Sequence, residues 1–124
     1  MSVLNIVSNE LHGIGVPYEF MQWTSAVEDQ YFVGEYSEEP VDTEDGYKSS
    51  TLLLTGTTKG KWLELEQYRA KIENHFPAVG GLRISTDNGT VVIFYANSFP
   101  VPTGEADLKR IQINLQVKEW RNIQ

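Results

Sequence analysis

The chain has 124 residues, of which 40% are apolar and 22% are charged, and it contains no cysteine. This length and composition are typical of one globular domain, and they exclude a disulfide framework, a thiolate nucleophile and a zinc site built on cysteine. The apolar runs are only a few residues long, so the sequence predicts neither a membrane span nor a secretory signal.

Charge is distributed unevenly along the chain. Residues 1–45 contain ten acidic residues and neither Lys nor Arg, whereas residues 46–124 contain ten basic and seven acidic residues. A subunit polarised in this way can pack head to side against copies of itself, and its acidic third would repel nucleic-acid phosphates. The alternative interpretation is that the acidic residues serve only solubility.

The first third of the chain predicts one helix and two strands. Apolar residues at three- and four-residue steps behind Ser2, a candidate N-cap, predict a helix over residues 3–12. Two aromatic-rich segments, residues 18–24 and 31–39, predict strands.

The polar stretch after these strands predicts a mobile acidic loop over residues 38–46. We expect this loop to be poorly ordered in an isolated subunit and to become ordered against a neighbouring molecule. Its acidic residues are Glu38, Glu39, Asp42, Glu44 and Asp45.

Residues 47–57 are rich in β-forming residues. Because Leu52, Leu53 and Leu54 are adjacent, the pattern predicts a strand that is buried on both faces and lies in the centre of a sheet.

The second half of the chain begins with the clearest helical pattern, over residues 61–75. Residues 82–85 and 90–97 flank an Asn-Gly pair and predict a β-hairpin with a type I′ turn. Two prolines and a glycine within residues 100–104 predict a loop. Strict alternation over residues 110–118 predicts a half-buried strand.

The element order αβββαβββ lacks the regular alternation of a parallel α/β sheet. It predicts a single α+β domain over residues 1–124, with a mainly antiparallel sheet and both helices packed on one face.

Motifs for chemistry are incomplete. Residues 56–61 resemble a phosphate-binding loop, but the glycine spacing is too short and Trp62 replaces the magnesium-binding hydroxyl. Residues 42–46 resemble part of a calcium loop with its glycine misplaced. His12 and His75 are isolated near predicted helix ends, where a capping or solvent-facing role is common. We therefore expect no catalytic residues, no cofactor and no metal site.

Most of the aromatic residues are predicted to lie in the core, since the basic groove of a single-strand binder is absent from the pattern. Trp120 stands among charged residues near the end of the chain, so it is either an interface anchor or packed at the edge of the sheet. Besides the acidic loop residues, the candidate interface residues are Lys59, Lys61, Lys118, Trp120 and Arg121.

Three blocks of the sequence resemble a known family. They are YFVGEY (31–36), EPVDTEDGYKSSTLLLTG (39–56) and W-L-E-L-E-x-x-x-x-K-I (62–72), the last followed by Phe76-Pro77. Over roughly residues 15–120 the chain is similar to small tail proteins of phages and prophages of Gram-positive bacteria, in the tail terminator (tail completion) group.

The resemblance implies a structural α+β subunit that forms a homo-oligomeric ring, commonly a hexamer. Such a ring sits on the last ring of tail tube protein, ends polymerisation of the tube and presents a surface to the head–tail connector protein. It implies a place in the virion tail, with assembly in the host bacterial cytoplasm, DNA passing only through the lumen, and no membrane partner. The alternatives left open are another head–tail joining or minor tail component, a small non-phage ligand-binding module, and an enzyme of unrecognised mechanism.

Overall fold

The computed structural model describes residues 3–21, 30–38, 47–87 and 89–121. These residues form two helices and six strands, in the predicted order αβββαβββ. The elements are α1 (Val3–Gly13), β1 (Tyr18–Phe20), β2 (Gln30–Glu38), β3 (Tyr47–Thr58), α2 (Trp62–His75), β4 (Leu82–Thr86), β5 (Gly89–Val101) and β6 (Lys109–Arg121).

All six strands belong to one sheet, in the order β1-β2-β3-β6-β5-β4. Only β1 and β2 run parallel, and the other four neighbouring pairs are antiparallel. The prediction of a single α+β domain with a mainly antiparallel sheet is therefore confirmed. The parallel pair is possible because the chain between Phe20 and Gln30 is longer than the tight turn that restricts a hairpin to antiparallel strands.

The hydrophobic core covers one face of this sheet. Leu52 and Leu54 of β3 lie opposite Leu115 and Ile113 of β6, and all four side chains are fully buried. The buried side chains of both helices belong to the same cluster. Those helical residues are Val3, Ile6, Val7 and Leu11 of α1 and Leu65 and Ile72 of α2.

Leu53 corrects one prediction. The central position of β3 is confirmed, since β2 and β6 flank it. Burial on both faces is wrong, because Leu53 is only half-buried and lies between Glu35 and Asn114 in the register. Side chains alternate between the two faces of a strand, and the face that carries Leu53 is opposite to the core.

Two strand boundaries at the start of the sheet differ from the predicted ones. β1 ends at Phe20, and residues 22–24 of the predicted strand lie outside the described residues. β2 ends at Glu38, whose backbone pairs with Ser50, so this residue belongs to a strand rather than to the predicted loop. Residues 39–46 lie outside the described residues.

The loop predicted to begin at Pro100 starts later, because β5 continues to Val101. β4 pairs only with the segment from Gly89 to Ile93, so Pro100 lies where no described strand flanks β5 on its β4 side. A proline is tolerated there because an edge strand can lack an outward N–H donor.

Two glycines allow aromatic rings to lie directly on the sheet. A Cβ atom at Gly56 would overlap the buried ring of Phe32, and one at Gly34 would overlap the ring of Tyr18. The Tyr18 hydroxyl is buried and has no hydrogen-bond partner among the described residues. Burial raises the pKa of Tyr18 to about 12, because the phenolate would lose its hydration.

Candidate functional site

The predicted interface residues fall into two groups at opposite ends of the sheet. Trp120 pairs with Tyr47 at the start of β3, and Lys118 pairs with Ser49. Lys59 and Lys61 instead follow the end of β3. Because β3 has 12 residues and a strand rises about 3.3 Å per residue, the two groups are separated by about 36 Å. They therefore form two surfaces rather than one site.

At the first end, Trp120 is part of an aromatic cluster with a lysine. Its ring centroid lies 5.4 Å from that of Tyr47, and about a third of the residue (36%) remains exposed. The Lys118 ammonium lies 5.0 Å from the Tyr47 ring centroid and 5.6 Å from that of Phe94, within the range of cation–π attraction. β6 is an internal strand, so Trp120 packs at a strand end and not at the lateral edge of the sheet.

Arg121 ends β6 beside this cluster, and its backbone pairs with Gly89. Glu38 ends β2 near the same end of the sheet, because Glu38 pairs with Ser50 and Ser50 pairs with Val117. The other acidic loop candidates, Glu39, Asp42, Glu44 and Asp45, lie outside the described residues.

At the second end, the turn between β3 and α2 holds Lys59 and Lys61 in exposed positions. The buried Thr58 hydroxyl donates a hydrogen bond to Glu64 Oε2 at 3.0 Å and accepts one from the Gly60 N–H at 2.9 Å. The Glu64 carboxylate packs against Gly60, at the N-terminus of α2. An anion in this turn would meet that carboxylate, which favours a plain structural turn over a phosphate-binding loop.

Both histidines contact a neighbouring element. His12 Nε2 lies 2.9 Å from the Tyr18 carbonyl oxygen and therefore donates to it, since a carbonyl can only accept. His75 Nε2 of α2 lies 3.5 Å from Glu10 Oε1 of α1. The first contact links α1 to β1 by a hydrogen bond, and the second places α2 beside α1 without one, because His75 Nε2 has no hydrogen-bond partner among the described residues. Within the described ranges, no group of three or more His, Asp or Glu side chains could hold a metal ion.

Strand order places opposite charges on the two sides of the sheet. β1 and β2 carry three acidic residues and no basic residue, whereas β6, β5 and β4 together carry five basic residues and one acidic residue. Four of the five basic residues belong to β6, which is internal, and only Arg83 belongs to the strands beyond it. The acidic residues of the β1–β2 side are Glu19, Glu35 and Glu38. The charged residues of the β4–β6 side are Arg83, Lys109, Arg110, Lys118, Glu119 and Arg121.

Exposed apolar side chains lie at both lateral margins of the sheet, where the sequence pattern predicts none. Phe20 and Met21 are 39% and 60% exposed beside β1, and Phe99 is 47% exposed on β5. Met21 also has a φ of 72°, a left-handed conformation that is uncommon for a residue other than glycine. The aromatic pattern favoured burial of Phe99, but Phe99 pairs with Gln112 and therefore lies on the face opposite the core, beyond the last residue that β4 flanks.

The face of the sheet opposite the core carries an uncharged hydrogen-bonded row. Thr55 donates to Gln112 Oε1 at 3.1 Å, the Gln112 amide donates to Asn114 Oδ1 at 3.0 Å, and the Asn114 amide donates to Asn97 Oδ1 at 2.8 Å. Each of these polar groups has a hydrogen-bond partner within the row, so the row stabilises the pairing of β3 with β6 and of β6 with β5. The strongly charged surfaces lie instead at the ends and sides of the sheet.

Comparisons with known proteins leave the family open. No protein-family model matches the chain. No curated protein matches it either. No helix in the described part of the chain is long and apolar enough to cross a membrane.

Proposed function

We propose that the protein is a structural, non-enzymatic component of a phage tail. In this proposal its copies form a ring, commonly a hexamer in the family that the sequence resembles, which caps the tail tube, ends tube polymerisation and contacts the head–tail connector. The observation that carries the proposal is the opposite charge on the two sides of the sheet. A head-to-tail contact places the acidic side of one copy against the basic side of the next.

The two ends of β3 are available for contacts other than this lateral one. Lys59 and Lys61 lie exposed at one end, about 36 Å along the strand from the end near which Glu38 closes β2. In this proposal the two lysines attract an acidic surface of the tail tube or of another copy. Long-range attraction of this kind steers association and weakens as salt screens it.

The first test is the mass of the protein in solution at low and high salt. We expect a discrete oligomer whose fraction falls as ionic strength rises, because the contact is between opposite charges. A protein that stays monomeric at every concentration and salt level, and forms no ring on purified tail tubes, would overturn the proposal.

The second test is tail length in a phage that lacks the gene and is complemented with variants. Reversing Lys59 and Lys61 together to Glu is expected to leave the fold intact, since both side chains are exposed, and to give tails of uncontrolled length. Lys71→Glu, which reverses an exposed charge on α2, is the control and should give tails of normal length.

Trp120→Ala is expected to weaken the ring in the same assay, if the exposed third of this residue contacts a neighbour. Normal tails from both the double reversal and Trp120→Ala would remove these residues from the interface. Specific turnover of a small substrate by the purified protein would overturn the non-enzymatic proposal.

A further inference from the structure

The two lateral margins of the sheet are exposed at the same level along the strands. Phe99 pairs with Gln112, which pairs with Thr55, which pairs with Val33, which pairs with Glu19. One row therefore runs from β1 to β5 through every intervening strand. At a strand spacing of about 4.8 Å, this row is about 19 Å wide.

The first margin, which we call the β1 margin, consists of Glu19, Phe20 and Met21. Phe20 lies in the row next to that of Phe99, because it connects through Gly34, Leu54 and Ile113 to Ser98. Since Leu54 and Ile113 are core residues, Phe20 lies on the core side of the sheet, whereas Glu19 shares the opposite face with Phe99. Two large apolar side chains are exposed here beside an acidic one.

The opposite margin, which we call the β5 margin, consists of residues 96–101. Among the described residues no strand flanks it, because β4 pairs only as far as Ile93, and the Tyr95 N–H is taken by the Phe76 carbonyl oxygen at 2.8 Å. Its exposed residues include Phe99 and Pro100. Lys109 and Arg110 lie on the adjacent strand, and Arg110 pairs with Val101.

Backbone pairing is hindered at both margins. The Tyr18 carbonyl of β1 accepts the His12 hydrogen bond, and Pro100 has no N–H to donate. Features of this kind prevent an edge strand from adding another strand. A contact between the margins is therefore made by side chains. Each margin offers apolar groups, the β1 margin adds the acidic Glu19, and the basic Lys109 and Arg110 lie on the strand next to the β5 margin.

We infer that the β1 margin of one copy docks on the β5 margin of the next copy, with Met21 against Phe99 and with Glu19 facing Arg110. This inference rests on the proposed ring and names the contact that closes it. A contact between two different surfaces of the same chain is heterologous, and it gives a closed ring when the rotation between copies closes. Because both margins lie in the same row, the copies meet without a shift along the strands, which favours a ring over a filament.

The absence of cysteine allows a direct test by cross-linking. Met21→Cys protein is mixed with Phe99→Cys protein of a distinguishable mass and treated with a short bismaleimide. We expect a cross-linked heterodimer in the mixture and no comparable product from either variant alone. The double variant M21C/F99C should give a ladder that ends at a closed oligomer. Gln67→Cys, at an exposed position in the middle of α2 and outside both margins, replaces Met21→Cys in the control mixture.

The outcomes separate this inference from the proposed function. An oligomeric wild-type protein whose Met21→Cys and Phe99→Cys variants cross-link no better than the Gln67→Cys control overturns the margin contact and leaves the ring standing. A cross-link of Phe99→Cys to itself in place of the heterodimer shows a two-fold contact and also overturns it. A protein that is monomeric at every concentration overturns both.

Discussion

The two leucines Leu53 and Leu54 are adjacent in sequence but differ in burial, which makes them a sensitive test of the sheet. Leu54→Ala removes three carbon atoms from a fully buried side chain. At about 0.8 kcal/mol per buried methylene the transfer cost is about 2.4 kcal/mol, and the cavity raises the loss of unfolding free energy to about 3–4 kcal/mol. Leu53 is half-buried on the opposite face, so Leu53→Ala is expected to cost about 1 kcal/mol.

The assay is urea denaturation at a protein concentration where the wild type is monomeric. The two variants should have similar slopes and different midpoints, since the change is in stability and not in the surface exposed on unfolding. Leu63→Ala, at a position of α2 that is 62% exposed, is the control and should leave the midpoint almost unchanged. Equal losses from Leu53→Ala and Leu54→Ala would refute the assignment of one buried and one exposed face to β3.

Three further predictions concern the interior. Gly56→Ala should lower the free energy of unfolding by about 1–3 kcal/mol, because the new methyl group overlaps the Phe32 ring. Gly13→Ala, with open space around it, should leave this free energy unchanged, and equal denaturation midpoints for the two variants would contradict the prediction. Thr58→Val should lower the free energy of unfolding by about 1–3 kcal/mol, since it removes both hydrogen bonds of the turn. An unchanged thermal midpoint would show that the turn does not need these hydrogen bonds. The free energy of unfolding of the wild type should fall as the pH rises above about 10, the pKa of tyrosine in the unfolded chain, because the unfolded chain releases the Tyr18 proton before the native protein does. The loss should reach up to about 1.4 kcal/mol per pH unit and should end near the native pKa of about 12. Tyr18→Phe should be neutral or stabilising at pH 7 and should reduce this loss; identical pH profiles would contradict the assignment.

Several elements were predictable from local pattern because their apolar periodicity matches their burial. The alternation around Ile111, Ile113, Leu115 and Val117 predicts a strand with one buried face, and the structure places all four in the core. The helical spacing predicted over residues 61–75 corresponds to α2, and the hairpin predicted from residues 82–85 and 90–97 corresponds to β4 and β5. The Asn-Gly pair does not form its turn as predicted, because Gly89 pairs with Thr86 and begins β5, and Asn88 lies outside the described residues. In these segments local preference and tertiary burial agree.

The candidate surfaces depended on relations between distant residues. The sequence places ten acidic residues in its first third, but it does not tell which strands are neighbours. The order β1-β2-β3-β6-β5-β4 separates the acidic strands from the basic ones, and the same order pairs Trp120 with Tyr47. Exposure of Phe99 depends on the register between β5 and β6, which pairs it with Gln112 on the face opposite the core.

The sequence by itself determined the element order, the α+β class and the charge asymmetry, because periodicity and turn residues act over a few neighbouring positions. Tertiary structure alone decided that β1 runs parallel to β2, that Leu53 lies on the exposed face, and that Phe20, Met21 and Phe99 lie at opposite margins. The physical reason is that strand pairing joins residues far apart in the chain. A pattern of local preferences specifies which face of a strand is apolar, but it does not specify which strand lies beside it.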